Sequence, residues 1–199
     1  MKNDMKKKNL VLILILSVFL VSTCCFTSWQ RLWKGCFWWN CAPNRNFSVL
    51  DWEIPDYLFP EGAQVGNISL PTDGYLYVEE GNQSVWLGNS GNGAIYIIDR
   101  FPAVKRAVSD FERRKERMYD PGSGTKWQTS DVLNFSSSTA DDEYIACGLF
   151  FNVNRCEAVI RYQEYVIFLN VDITGGMTFV HFEKILFYLD EQISSRLYP

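Results

Sequence analysis

Histidine is almost missing from this chain: of its 199 residues only His181 is one. A metal centre built from several imidazoles is therefore excluded. Hydrolysis of the serine–histidine type would have to use His181, and no G-x-S-x-G elbow accompanies it. Ser90, in Gly88-Asn89-Ser90-Gly91, lacks the second half of that spacing and fits a hairpin turn. His181 reads as a partly buried or capping residue in the first turn of the last helix. A surplus of positive charge is missing too. Nineteen Lys and Arg stand against 23 Asp and Glu, a net charge of −4, which leaves no electrostatic footprint for nucleic acid. No C-x2-C knuckle occurs, so a four-cysteine zinc site is disfavoured. Gly122-Ser123-Gly124-Thr125-Lys126 lacks the spacing of a phosphate loop and is read as an ordinary loop. Asp141-Asp142-Glu143 lacks EF-hand spacing and reads as a charged strand entry, with a weak surface calcium site as the alternative.

Long apolar runs are equally scarce, with one exception. Leu10 to Cys25, LVLILILSVFLVSTCC, follows a start that carries Lys2, Lys6, Lys7 and Lys8. Positive charge beside an apolar run is retained on the cytoplasmic side of a membrane. Leu10 to Val21 has the length of a signal-peptide core, and extension to Phe26 reaches the lower edge of what spans a bilayer. Leu20-Val21-Ser22-Thr23-Cys24 resembles the lipobox of bacterial lipoproteins, which implies a lipidated Cys24 as the mature N-terminus. Thr23 departs from the small residue usual at that position. The alternative is an uncleaved signal anchor. Either way the expected location is the extracytoplasmic face of the cell membrane, reached through a lipid anchor such as palmitate or through a helix.

Three parts are expected: an export segment over residues 1–24, a Trp- and Cys-rich juxtamembrane linker over 25–46, and a domain over 47–199. In the linker, Trp29, Trp33, Trp38 and Trp39 lie among Arg31, Lys34 and Arg45. Indole rings prefer the headgroup layer of a bilayer, and cations attract anionic lipid. These four residues are the candidate membrane interface, the alternative being that some pack back on the domain. Exported cysteines oxidise, and the pairs expected are Cys147–Cys156, across a strand turn, and Cys36–Cys41. Asn-x-Ser sequons at Asn46, Asn67, Asn82 and Asn134 acquire meaning in a signal-anchored glycoprotein of a eukaryote.

Within the domain, residues 47–50 suggest a short strand, and Asp56-Tyr57-Leu58-Phe59 a helical turn plugging the core. Residues 61–74, with Gly62, Gly66, Pro71 and Gly74, read as loop. Strands are expected at 75–78, 84–87 and 94–99, with Glu79-Glu80-Gly81-Asn82 as a turn between the first two. A helix follows Pro102, with Val104, Ala107, Val108, Phe111 and Met118 at helical spacing. Residues 119–140 form a long loop, a binding loop or a mobile one, with a short strand near Val132 to Phe135. Strands then return at 144–151, 156–162 and 165–173. Thr178 caps a last helix running to about Leu197, with Phe182, Ile185, Leu186, Leu189, Ile193 and Leu197 as its apolar stripe. The order strand–strand–strand–helix thus occurs twice. Short turns make the strands antiparallel neighbours. The expected fold is α+β, an antiparallel sheet with two amphipathic helices packed on one face and a possible pseudo-repeat.

Tyr96-Ile97-Ile98-Asp99-Arg100-Phe101 with its helix, Val159-Ile160-Arg161-Tyr162, Tyr165-Val166-Ile167-Phe168 and the closing Ser195-Arg196-Leu197 resemble the extracellular sensor-like and lipoprotein domains of bacteria. The resemblance covers roughly residues 83–197. It implies a module that binds a small ligand or a protein partner, or one of unknown role, rather than an enzyme, and it carries no catalytic residue or cofactor. A juxtamembrane structural or assembly role through Trp29 to Trp39 is the competing expectation.

Overall fold

The structure is a computed structural model that describes residues 13, 15–26, 28, 36–37, 39–70, 78–88, 93–129, 133–174 and 176–199. The chain divides into two units, Met1–Cys41 and Ala42–Pro199. In the first, residues 15–26 are helical and exposed. The second is the α+β domain. Its elements are β1 (Ala63–Val65), β2 (Glu79–Leu87), β3 (Gly93–Arg100), α1 (Val104–Lys115), β4 (Asp142–Phe150), β5 (Val153–Tyr162), β6 (Tyr165–Asp172) and α2 (Phe179–Leu197). Two 3-10 turns, Val49–Trp52 and Asp56–Leu58, precede them.

The six strands form one antiparallel sheet in the order β1-β2-β3-β6-β5-β4. Two three-stranded meanders therefore meet along a seam between β3 and β6. The β4–β5 hairpin closes through Phe151 and Asn152, with φ of +47° and +68°. Positive φ at both central residues matches the twist of the flanking strands. Cys147 and Cys156 stand directly opposite each other in that hairpin, and their sulfurs are 2.02 Å apart.

Strand alternation assigns each side chain to a face. On one face, Tyr96 and Ile98 of β3, Ala158 and Ile160 of β5, and Ile167 and Leu169 of β6 pack with Phe182, Ile185, Leu186, Leu189 and Ile193 of α2. Segment 47–59 completes this layer: Trp52, fully buried, meets the Tyr165 ring edge-on at 5.0 Å. Gln83 points into the same layer and is 1 % exposed. Its amide accepts from Ile54 N at 2.9 Å and donates to Ile54 O at 2.9 Å and Gly66 O at 3.0 Å. One side chain thus satisfies a stretch of backbone that Pro55 and Pro60 keep out of the sheet.

α1 lies on the other face. Ala107 and Phe111 pack with Val159 and Val166, and Phe168 closes around them. The expectation that both helices share one face is thereby corrected. The physical reason lies in β5 and β6, which are buried along almost their whole length. Strands apolar on successive positions need cover on both sides. The order of elements does repeat, and the strand order is symmetric about the seam. The helices break that symmetry, since a two-fold axis through the seam and normal to the sheet would place them together.

Three further local readings change. The expected strand over residues 47–50 gives way to the 3-10 turn Val49–Trp52, whose N-cap Ser48 makes a capping box with Asp51. The expected loop 61–74 contributes β1. Glu79 to Asn82 belong to β2 rather than to a turn. Gly81 is there because a Cβ would come within 2.8 Å of Ile68 Cδ1. The expected strand at 75–78 lies outside the described residues except for Val78, whose N–H donates to Arg100 O.

Candidate functional site

Loop 119–140 is fastened at both described flanks. After α1, the Tyr119–Lys126 bridge and the N–H of Trp127 donating to Met118 O close a compact turn, held by the Asp120 carboxylate accepting from Gly122 and Ser123. Trp127 then lies flat on Gly148, where a Cβ would meet its ring at 2.2 Å, and its Nε1 donates to Leu149 O. At the other flank, Ser137 Oγ and Tyr162 Oη donate to the Asp190 carboxylate on α2, and Thr139 bonds Ser194. A cavity of about 160 Å³ remains beside β4, lined by Thr129, Leu133, Phe135, Glu143, Tyr144 and Ile145. The acidic cluster nearby is committed: Asp141 and Asp142 pair with Arg161, and Glu143 accepts from Ser136 and Ser137. Among the described residues, no group of three or more metal-binding side chains converges. His181 completes a capping box with Thr178 at the start of α2.

α1 and Trp127 cover the β6-β5-β4 half of their face, and Arg114 of α1 reaches the buried Asp99 at the end of β3. Among the described residues, the rest of the β2–β3 half stays open. Trp86 of β2 is 50 % exposed and Ile95 of β3 is 46 % exposed, with Asn82, Ser84 and Ile97 half-buried around them. A Cβ added at Gly66 would make ordinary contact with the Trp86 indole, at 3.5 Å, and a tighter one with Ser84 O, at 3.1 Å. The registers continue this open half into a polar floor. In one cross-strand row lie Ser84, Ile95, Asn170 and Glu157; beyond it Trp86 pairs with Gly93 across β2 and β3, and Arg155 with Asp172 across β5 and β6. Asn170 Nδ2 donates to Glu157 Oε1 at 2.9 Å, and Arg155 Nε donates to Asp172 Oδ1 at 2.6 Å. The Arg155 guanidinium also sits 3.8 Å from the centre of the Phe150 ring. Phe150 meets Phe151, which is 64 % exposed and holds the positive φ that Gly or Asn would adopt more cheaply. Non-glycine residues kept in that conformation collect at functional sites.

Burial pushes the Glu157 carboxyl up to about 7; Asp172 adds to the rise and Arg155 opposes it. Glu157 therefore holds its proton more tightly folded than unfolded. Its contribution to stability is complete below the ordinary carboxylate range and is lost as pH rises through about 7. Glu157→Gln is expected to remove about 1–2 kcal/mol of that pH dependence. Urea midpoints of wild type and variant at about pH 5.5 and about pH 8 measure it, and the wild-type midpoint should be lower at the higher pH.

The remaining sequence candidates fall in the first unit. Cys24 is exposed within the helical residues 15–26. Cys36 and Cys41 stand with sulfurs 2.01 Å apart. Trp39 is exposed and stacks on Phe37 with ring centroids 5.0 Å apart, while Trp29, Trp33 and Trp38 lie outside the described residues. The open strip itself escaped sequence reading residue by residue. Its signal was Trp86 and Ile95 at alternate positions of strands whose inward neighbours are also apolar.

No protein-family model matches the chain, and neither a curated protein nor a solved structure matches it.

Proposed function

We propose that the chain is a membrane-tethered extracytoplasmic protein whose domain binds a ligand or partner on the open half of its sheet and catalyses no reaction. The observation that carries this reading is the exposure of Trp86 and Ile95 beside the polar floor of Asn170, Glu157, Asp172 and Arg155. Large apolar groups kept in water beside convergent polar ones mark binding surfaces. The lysine-rich start, the apolar run to Cys25 and two cysteine pairs at bonding distance favour an oxidising, membrane-proximal location. Among the described residues, no helix is long and apolar enough to cross a membrane. Cys24 is the proposed acceptor of the lipid.

Metabolic labelling with a fatty acid, followed by membrane fractionation, tests the tether. Wild type should carry label and sediment with membranes, and Cys24→Ser should lose both. Attachment without label would replace the lipid with an uncleaved helix. Cytoplasmic recovery of both proteins would end the tethered reading.

A further inference from the structure

We infer that the strip from Trp86 to Phe151 is a binding site for an extended, uncharged oligosaccharide, an inference that rests on the binding role proposed above. Aromatic groups stand at its two ends: the Trp86 indole on β2 and the Phe151 ring at the tip of the β4–β5 hairpin, both at least half exposed. From β2 to β5 there are three inter-strand steps, roughly 14 Å at about 4.8 Å each, and Phe151 lies beyond β5 at the hairpin tip. Sugar rings carry an apolar C–H face that lies against an aromatic ring, and a rim of hydroxyls that needs polar partners.

The floor supplies those partners in planar, two-pronged form. Asn170 and Glu157 use one prong on each other, which leaves Asn170 Oδ1 and Glu157 Oε2 without a hydrogen bond among the described residues. Arg155 and Asp172 use Nε and Oδ1 on each other, which, among the described residues, leaves Arg155 both terminal nitrogens and Asp172 its Oδ2. Donors and acceptors therefore alternate at close range. Adjacent hydroxyls, each both donor and acceptor, satisfy such a set, whereas a purely anionic or cationic ligand does not.

Other occupants fit less well. With Asp172 paired to Arg155, the floor has no surplus positive charge to hold a phosphate backbone. An acyl chain would bury the floor without giving it hydrogen bonds. A peptide strand needs an open sheet edge, and here β3, β6 and β5 are paired on both sides.

The test titrates the full chain, in micelles of a sugar-free zwitterionic detergent, with cellohexaose, chitohexaose and mannohexaose by calorimetry. At least one should bind saturably. Trp86→Ala and Asn170→Ala should each weaken it about tenfold or more, and Tyr57→Ala, on an exposed turn outside the strip, should change nothing. Circular dichroism checks that each variant is folded. Binding of none of the three sugars, or binding that survives both alanine variants, overturns the inference. A photo-crosslinking residue at position 86 in cells separates this from the parent reading. A crosslinked protein without sugar binding overturns the saccharide and keeps the binding face; no crosslink and no sugar overturn both.

Discussion

Glu164→Ala is expected to destabilise the domain by about 3–5 kcal/mol, the loss typical of removing one partner from a buried ion cluster. Glu164 sits in the β5–β6 turn and is fully buried. It accepts from Arg45 at 2.8 and 3.0 Å, and Arg100 approaches it at 3.9 Å. Arg100 in turn donates to Pro43 O and lies over the Tyr165 ring, while the N–H of Phe101 donates to the Glu164 carbonyl. A single carboxylate thus ties the entry of the domain, the end of β3 and the β5–β6 turn together. Without it, two largely buried guanidiniums lose their counter-charge, and desolvation rather than the missing attraction sets the cost. Urea unfolding of the variant should show a lower midpoint at unchanged slope. A drop below about 1 kcal/mol would mean that water reaches the arginines. Glu164→Gln should fall between, since it keeps acceptor geometry and loses charge.

The second large effect is expected at Gln83. Truncation to Ala removes three hydrogen bonds to buried backbone and puts nothing in their place. An unmade bond to a buried group costs about 1–3 kcal/mol, so a total of about 3–5 kcal/mol follows. Gln83→Leu should do no better, because the apolar volume restored leaves Ile54 N–H and O unsatisfied. Hydrogen exchange locates the effect: the Ile54 amide should lose protection in either variant while amides in the β5–β6 hairpin change only with global stability. Equal loss of protection across the sheet would show that segment 47–59 has no local stability of its own.

The fold was legible in the sequence wherever local chemistry and pattern agreed. The strands around Ala94, Cys156 and Tyr165 stood out because apolar runs ended at turns. The helix after Thr178 stood out because a cap preceded a stripe at helical spacing. Helix placement was not legible. Ala158-Val159-Ile160 and Tyr165 to Leu169 are unbroken apolar runs, which reveals burial on two faces without saying which helix covers which. The 3-10 turn at Val49–Trp52 was missed because Phe47 and Val49 alternate like a strand; the capping box of Ser48 and Asp51 outweighs that pattern. β1 was missed because three residues between glycines carry almost no signal. The open strip depends on register across four strands, and register arises from turns and partner strands rather than from any one segment.

The seam between β3 and β6 has a consequence for how the chain reaches this state. Ala94 pairs with Val171 and Arg100 with Tyr165, so the central ladder joins residues more than sixty positions apart, while the hairpins on either side are local. Each meander can form early, and their union waits on closing one long loop. The entropy of that closure rises only with the logarithm of loop length, about 0.6 kcal/mol per doubling. The turn between Asp120 and Lys126 is thus a place where the chain tolerates an inserted linker or a break, and the two halves, made as separate polypeptides, are expected to reassemble along the seam.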